Sequence, residues 1–145
     1  MNSVEFYFED IDPISIHENI LNLQLKSLIK KELKEVGDIT VIFCSDEYLL
    51  EMNKEYLNHD YYTDIITFDY VEGDIISGDL FISVDRVKDN AVQFDSTLLK
   101  ELYRVVFHGT LHLVGYKDKT EDEKVVMRSK EDFYLSEVDF KGLEK

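Results

Sequence analysis

The apolar positions of this chain switch between two spacings, and the switches lay out its elements. Val4 to Phe8 alternates apolar with polar residues, the two-residue period of a half-buried strand. From Ile16 to Val36 the period becomes helical: Ile20, Leu21, Leu25, Leu28 and Leu33 share a stripe, and Gly37 stands where a helix would stop. Asp38 to Cys44 is β-branched and predicts a strand, and Ser45 predicts the N-cap of a helix from Asp46 to about Leu57. Thr63 to Val71 and Asp79 to Val84 read as strands joined as a hairpin through the Gly73 and Gly78 region. A short helix follows from Asp85 to about Phe94. Ser96 then caps a long helix, Thr97 to Val114, whose Leu102, Val106 and Leu113 should face the core. Thr120 and Glu123 form a capping box that opens a last helix to about Ser136. The expected fold class is α+β: a single domain over residues 1–145, with one small mixed sheet of about four strands covered by about five helices.

Composition narrows this picture. A chain of 145 residues can bury roughly two-thirds of its unfolded surface, and 44% hydrophobic content with a single proline suits one compact core. The acidic, alternating first ten residues are expected to be neither a signal nor a transit peptide. No apolar run approaches the roughly 20 residues needed to span a bilayer, so no membrane association is expected. Cys44 is the one cysteine and has no intramolecular partner, which suits a reducing cytoplasmic location.

Charge complicates any reading as a nucleic-acid binder. Sixteen basic residues against 31 acidic ones leave a formal −15, which would repel a polyanion in bulk. The cations are not evenly spread, however. Lys117, Lys119, Lys124, Arg128 and Lys130 crowd one stretch, and Arg104 falls one helical turn before His108. Lys26, Lys30 and Lys34 make a second stripe, either a binding face or a solvated helix surface with ordinary i,i+4 pairs.

The crowded stretch follows the most chemically suggestive segment, His108-Gly-Thr-Leu-His112-Leu-Val-Gly115-Tyr-Lys-Asp118. On a helix, residues at i and i+4 lie one above the other, so the two imidazoles share a face. Gly115 supplies a helix stop, and the turn beyond it can bring the Asp118 carboxylate back towards the rings. Two nitrogens and one oxygen leave a tetrahedral zinc ion with an open position, as catalytic sites do. Water there has its pKa lowered to about 7, which makes hydroxide available at neutral pH. One Zn2+ per chain, held by His108, His112 and Asp118, is the expected cofactor. The peptidase version of this motif carries a glutamate after the first histidine, and here that residue is Gly109.

The string His108-Gly-Thr-Leu-His-Leu-Val-Gly-Tyr116 resembles the HGxLHLxGYxH signature of the YbeY family of endoribonucleases and rRNA maturation factors. Thr63-Asp64-Ile-Ile-Thr-Phe68 is similar to the family's TDVLSF strand, Gly78-Asp79-Leu-Phe-Ile-Ser83 to its GDIxIS strand, and Leu57-Asn58 to the LN before both. The blocks run in order over roughly residues 46 to 132. The resemblance implies the same α+β architecture and metal-dependent cleavage of single-stranded RNA. It also implies a role in rRNA maturation and in processing and quality control of the small ribosomal subunit, whose assembly factors become expected partners.

Two departures stand out. Asp118 occupies the position of the family's third histidine. The arginine that usually follows LN is absent, because only His59-Asp60-Tyr61-Tyr62 separates Asn58 from Thr63. His108, His112, Asp118 and Arg104 are the candidate catalytic residues, with Arg104 assigned to phosphate contact. Lys117, Lys119, Lys124 and Arg128 are the candidate RNA-binding residues. His59 reads either as a substitute proton donor or as a loop histidine, and Tyr61 and Tyr62 either as base-stacking groups or as structural aromatics. Asp64 and Asp79 read as caps at strand starts. Two rival readings remain: an assembly factor that keeps zinc as structure and acts by binding, and a metal hydrolase of small molecules. The second lacks a further metal cluster.

Overall fold

A computed structural model of the protein describes residues 3–57 and 63–144. The chain runs β1 (Val4–Glu9), α1 (Glu18–Lys31), β2 (Glu35–Cys44), α2 (Asp46–Leu57), β3 (Ile65–Asp69), β4 (Ile75–Ser83), α3 (Val84–Gln93), α4 (Leu98–Val114), α5 (Glu121–Leu135) and α6 (Phe140–Leu143). The fold is α+β, with four strands in the order β1-β2-β4-β3. β1 and β4 flank β2 in parallel, which requires crossovers, and β3 pairs antiparallel with β4 through a short turn. Residues Asn58 to Tyr62, with the expectations placed on His59, Tyr61, Tyr62 and the missing arginine, lie outside the described residues.

Strand alternation divides the sheet between two apolar layers. Val41 and Phe43 on β2, and Leu80 and Ile82 on β4, enter the main core with α1, α4 and α5. Their neighbours Cys44 and Phe81 turn the other way, to meet Leu49, Ile66 and Phe68 beneath α2. α4 is the central helix. Leu102, Val106 and Leu113 are buried as expected, and it packs on both β3 and β4 as well as on α1, α3 and α5. Among the described residues no helix is long and apolar enough to cross a membrane.

The structure redraws several element boundaries. α1 stops at Lys31 rather than running to Val36. Leu33, read as part of its apolar stripe, has φ 63° and is 87% exposed. The reason is tertiary: the chain from Glu35 is taken into the sheet, where Glu35 and Val36 pair with Ile75 and Ile76. Gly37 is therefore no helix stop. It lies at a break in the β2 register between Val36 and Ile39, and a Cβ there would stand 2.1 Å from Ser77 Oγ.

β4 likewise begins at Ile75 instead of Asp79, so Gly78 and Asp79 lie within the strand and the turn lies further back, with Gly73 at φ 59°. Asp79 pairs with Phe68 of β3 and hence does not cap a strand start. The cap of α4 is Thr97, whose Oγ1 accepts from Lys100 N at 3.2 Å, while Ser96 Oγ donates to Glu101. Ser45 and the Thr120–Glu123 box cap α2 and α5 as expected. The single-turn α6 is too short to have left a periodic signal.

Candidate metal centre

α4 delivers both histidines because its C-terminal half lies directly on the sheet. A Cβ at Gly109 would come within 2.7 Å of Ile65 Cδ1 and 3.0 Å of Leu80 Cδ2, so the helix reaches this depth only with glycine there. The position after the first histidine thus points into β3 and β4, away from the imidazole face. A general-base glutamate has no place at that position, which explains in space why the peptidase pattern fails.

The helix ends in a Schellman motif. Gly115 has φ 127°, its N–H donates to His112 O at 3.1 Å, and Tyr116 N–H donates to Leu111 O at 3.0 Å. Immediately beyond, Glu123 Oε1 accepts from the N–H groups of Lys119 and Thr120, and Thr120 Oγ1 accepts from Glu123 N–H at 3.1 Å. The turn carrying Asp118 is therefore held by hydrogen bonds at both ends.

The result is a convergent donor set. His108 Nε2 and His112 Nε2 are 3.1 Å apart, and Asp118 Oδ2 stands 3.1 Å from the first and 3.3 Å from the second. Donor atoms bound about 2.0–2.1 Å from a tetrahedral zinc stand roughly 3.3–3.4 Å from one another, so the three fit one ion with little adjustment. Among the described residues these three form the one group placed to hold a metal.

Behind His108 lies a residue outside the candidates read from the sequence. Glu131 is a buried carboxylate on α5, and its Oε2 is 2.7 Å from His108 Nδ1. A carboxylate only accepts, so Nδ1 carries the proton and the lone pair of a neutral His108 sits on Nε2, at the point of convergence. Burial alone would lower the pKa of His108. The hydrogen bond and charge of Glu131, together with Asp118 and Asp64, outweigh it and raise the value. Arg104 supports Glu131 in turn: its Nη1 lies 3.3 Å from Glu131 Oε1 and 2.8 Å from Asp132 Oδ1, and Glu101 is also within ion-pair distance. The Arg104 side chain is 13% exposed, and its guanidinium is aimed at carboxylates. A signal for Glu131 did exist, since it shares the buried stripe of α5 with Met127 and Tyr134.

A cavity of about 320 Å³ opens beside the donors, lined by His108 and Asp118, by Asp64, Arg104 and Glu131, and by Asn90, Phe94, Lys124 and Arg128 among others. Asp64, read as a turn cap, thus lines the cavity; burial raises its pKa, against the lowering effect of His108 and of backbone N–H donors. Of the four basic candidates, Lys124 and Arg128 are cavity-lining. Lys117 and Lys119 are exposed on the turn and line no part of it. Lys130 lies over the Tyr116 ring and bonds Glu32. Lys34 falls beyond the end of α1 and pairs with Asp74; with Lys26 and Lys30 it lines a separate cleft.

The sequence model of the family described as Endoribonuclease YbeY matches residues 7–139 of this chain. The chain belongs to the YbeY endoribonuclease family. The resemblance read between residues 46 and 132 therefore extends over nearly the whole sequence. A YbeY endoribonuclease of Cytophaga hutchinsonii is 52% identical over 134 residues, covering 90% of this chain and 93% of the relative. One from Parabacteroides distasonis is 48% identical over 134 residues, covering 92% and 94%. The solution structure of a Thermotoga maritima protein superposes with a TM-score of 0.70 at 32% identity, over 93% of this chain and 88% of the other. This YbeY-family fold thus carries its donor triad on the α4–α5 junction.

Proposed function

We propose that this chain is a zinc-dependent endoribonuclease that cuts single-stranded RNA, ribosomal RNA above all. It would act in the cytoplasm on the maturing small ribosomal subunit and its assembly factors, in processing and quality control. The observation that carries the reading is the convergence of His108 Nε2, His112 Nε2 and Asp118 Oδ2 beside an open cavity, in a chain of the YbeY family. These three residues would hold the ion, which when bound supplies Lewis acidity to a water molecule or a phosphate oxygen. Glu131 holds the proton on His108 Nδ1 and so keeps Nε2 free to ligate. Arg104 acts through Glu131, while Lys124 and Arg128 supply positive charge to the phosphate from the cavity wall. Lys117 and Lys119, exposed on the adjoining turn, extend the charge along the strand. The identity of the ion as zinc rests on the nitrogen-rich donor set.

Metal analysis of the purified protein, paired with single-turnover cleavage of a short single-stranded RNA, tests this reading. Removing one preorganised donor from a developing oxyanion commonly costs about 10²–10³ in rate, so without the family arginine the expected activity is weak. It should nevertheless depend on metal and vanish in His108→Ala. Inserting an arginine-bearing connection between Asn58 and Thr63 should raise the rate without altering metal content. The competing reading is an assembly factor with a structural ion. It is favoured by that missing arginine and by the engagement of Arg104 with three carboxylates. It prevails if zinc-loaded protein cleaves no single-stranded or ribosomal RNA above the His108→Ala control, with ribosomes present or absent.

A further inference from the structure

We propose that Phe94, with Asn90 and Arg128, forms a nucleobase subsite at the mouth of the metal cavity, taking one unpaired base of the RNA strand. The proposal rests on the nuclease reading above and goes beyond it, by naming where a base is held. Phe94 is a large apolar residue left 60% exposed, yet its backbone is firmly placed. It is the C-cap of α3, with its N–H on Asn90 O at 3.0 Å; the chain then turns through Asp95 at φ 51°, and Ser96 N–H closes on Ala91 O at 2.8 Å. An exposed ring on a locked helix end loses little freedom when something stacks on it. The ring lines the same cavity as His108 and Asp118. Arg128 extends over the ring, Cζ to centroid 6.0 Å, and is itself half exposed. Asn90, also cavity-lining, offers an amide with both donors and an acceptor to a base edge. An aromatic platform, a neighbouring guanidinium and an amide beside a metal triad are the parts that single-stranded nucleic-acid sites use, and stacking tolerates any base.

The test uses the full-length, zinc-loaded protein and single-stranded oligoribonucleotides carrying 2-aminopurine, whose fluorescence falls on stacking. An abasic position walked along the strand should weaken binding at one site by about 5- to 30-fold, the worth of one modest stacking interaction. Phe94→Ala should lose the quench and show the same weakening on intact RNA, yet become indifferent to the abasic position. Phe94→Tyr should restore both, and metal content should match wild type throughout. Such indifference is something a merely structural role for Phe94 would not produce. The subsite is overturned if Phe94→Ala keeps wild-type affinity and quench. If the quench depends on Phe94 while wild-type protein cleaves nothing, the nuclease reading falls and the subsite stands.

Discussion

Glu131 shows how much of this site is decided by a single proton. With Nδ1 of His108 occupied, its only lone pair faces His112 and Asp118, and that tautomer is set before any ligand arrives. Glu131→Gln keeps the shape but offers a neutral acceptor or, flipped, a competing donor. Partners of this kind commonly contribute 10- to 100-fold to metal affinity, so a loss of about that size is expected when a chromophoric chelator competes for zinc. His112→Ala should lose the ion outright, whereas Asp118→His should keep or tighten it. Gly109 makes a different demand. Gly109→Ala places a methyl against Ile65 and Leu80, and overpacking of this sort should cost about 1–3 kcal/mol in denaturant unfolding. A variant as stable as wild type would mean that the helix can lift from the sheet.

At the scale of elements, the legible parts were those whose signals are local. Ser45, Thr120 with Glu123, and Gly115 are capping residues that speak through neighbours a few positions away, and α2, α5 and the end of α4 fell where those residues put them. The same locality made His108, His112 and Asp118 readable. The end of α1 was not readable, because Leu33 fits a helical stripe and only pairing with β4 draws the chain into the sheet from Glu35. Glu131 and Phe94 escaped for a related reason: their meaning comes from what α4 and α5 set beside them.

One cluster ties these elements together. Glu32, just past α1, accepts from the hydroxyls of Tyr116 (2.5 Å) and Tyr134 and pairs with Lys130 at 3.1 Å, joining α1 to the metal turn and to α5. Burial alone would raise its pKa; these donors outweigh burial and hold it below the ordinary 4.5. A depressed carboxylate contributes stability that is present above pH 4.5 and is lost as pH falls through the folded value. Glu32→Gln should accordingly cost about 1–3 kcal/mol near neutrality and flatten the fall in unfolding free energy below pH 4.5.

For the molecule as a whole, −15 and a polyanionic substrate are reconciled only if cations act locally. Neutralising Lys117, Lys119 and Arg128 together should weaken single-stranded RNA binding and reduce the log–log salt slope by about 0.7 for each phosphate left without its cation. An unchanged slope would assign these residues to solvated surface. The placement of Glu131 has a further consequence for how the fold breathes. Two donors come from α4, one from the turn after it, and the hydrogen-bonded support of His108 from α5, while β1 and β2 contribute none. Ion occupancy is therefore thermodynamically linked to the docking of one helix pair. At a free-ion concentration 100 times Kd, that linkage is worth about 2.7 kcal/mol. On chelation, amide hydrogen exchange should quicken through residues 115–135 and leave β1 and β2 almost untouched. This protein would then report its metal state as the slow opening and closing of its C-terminal third.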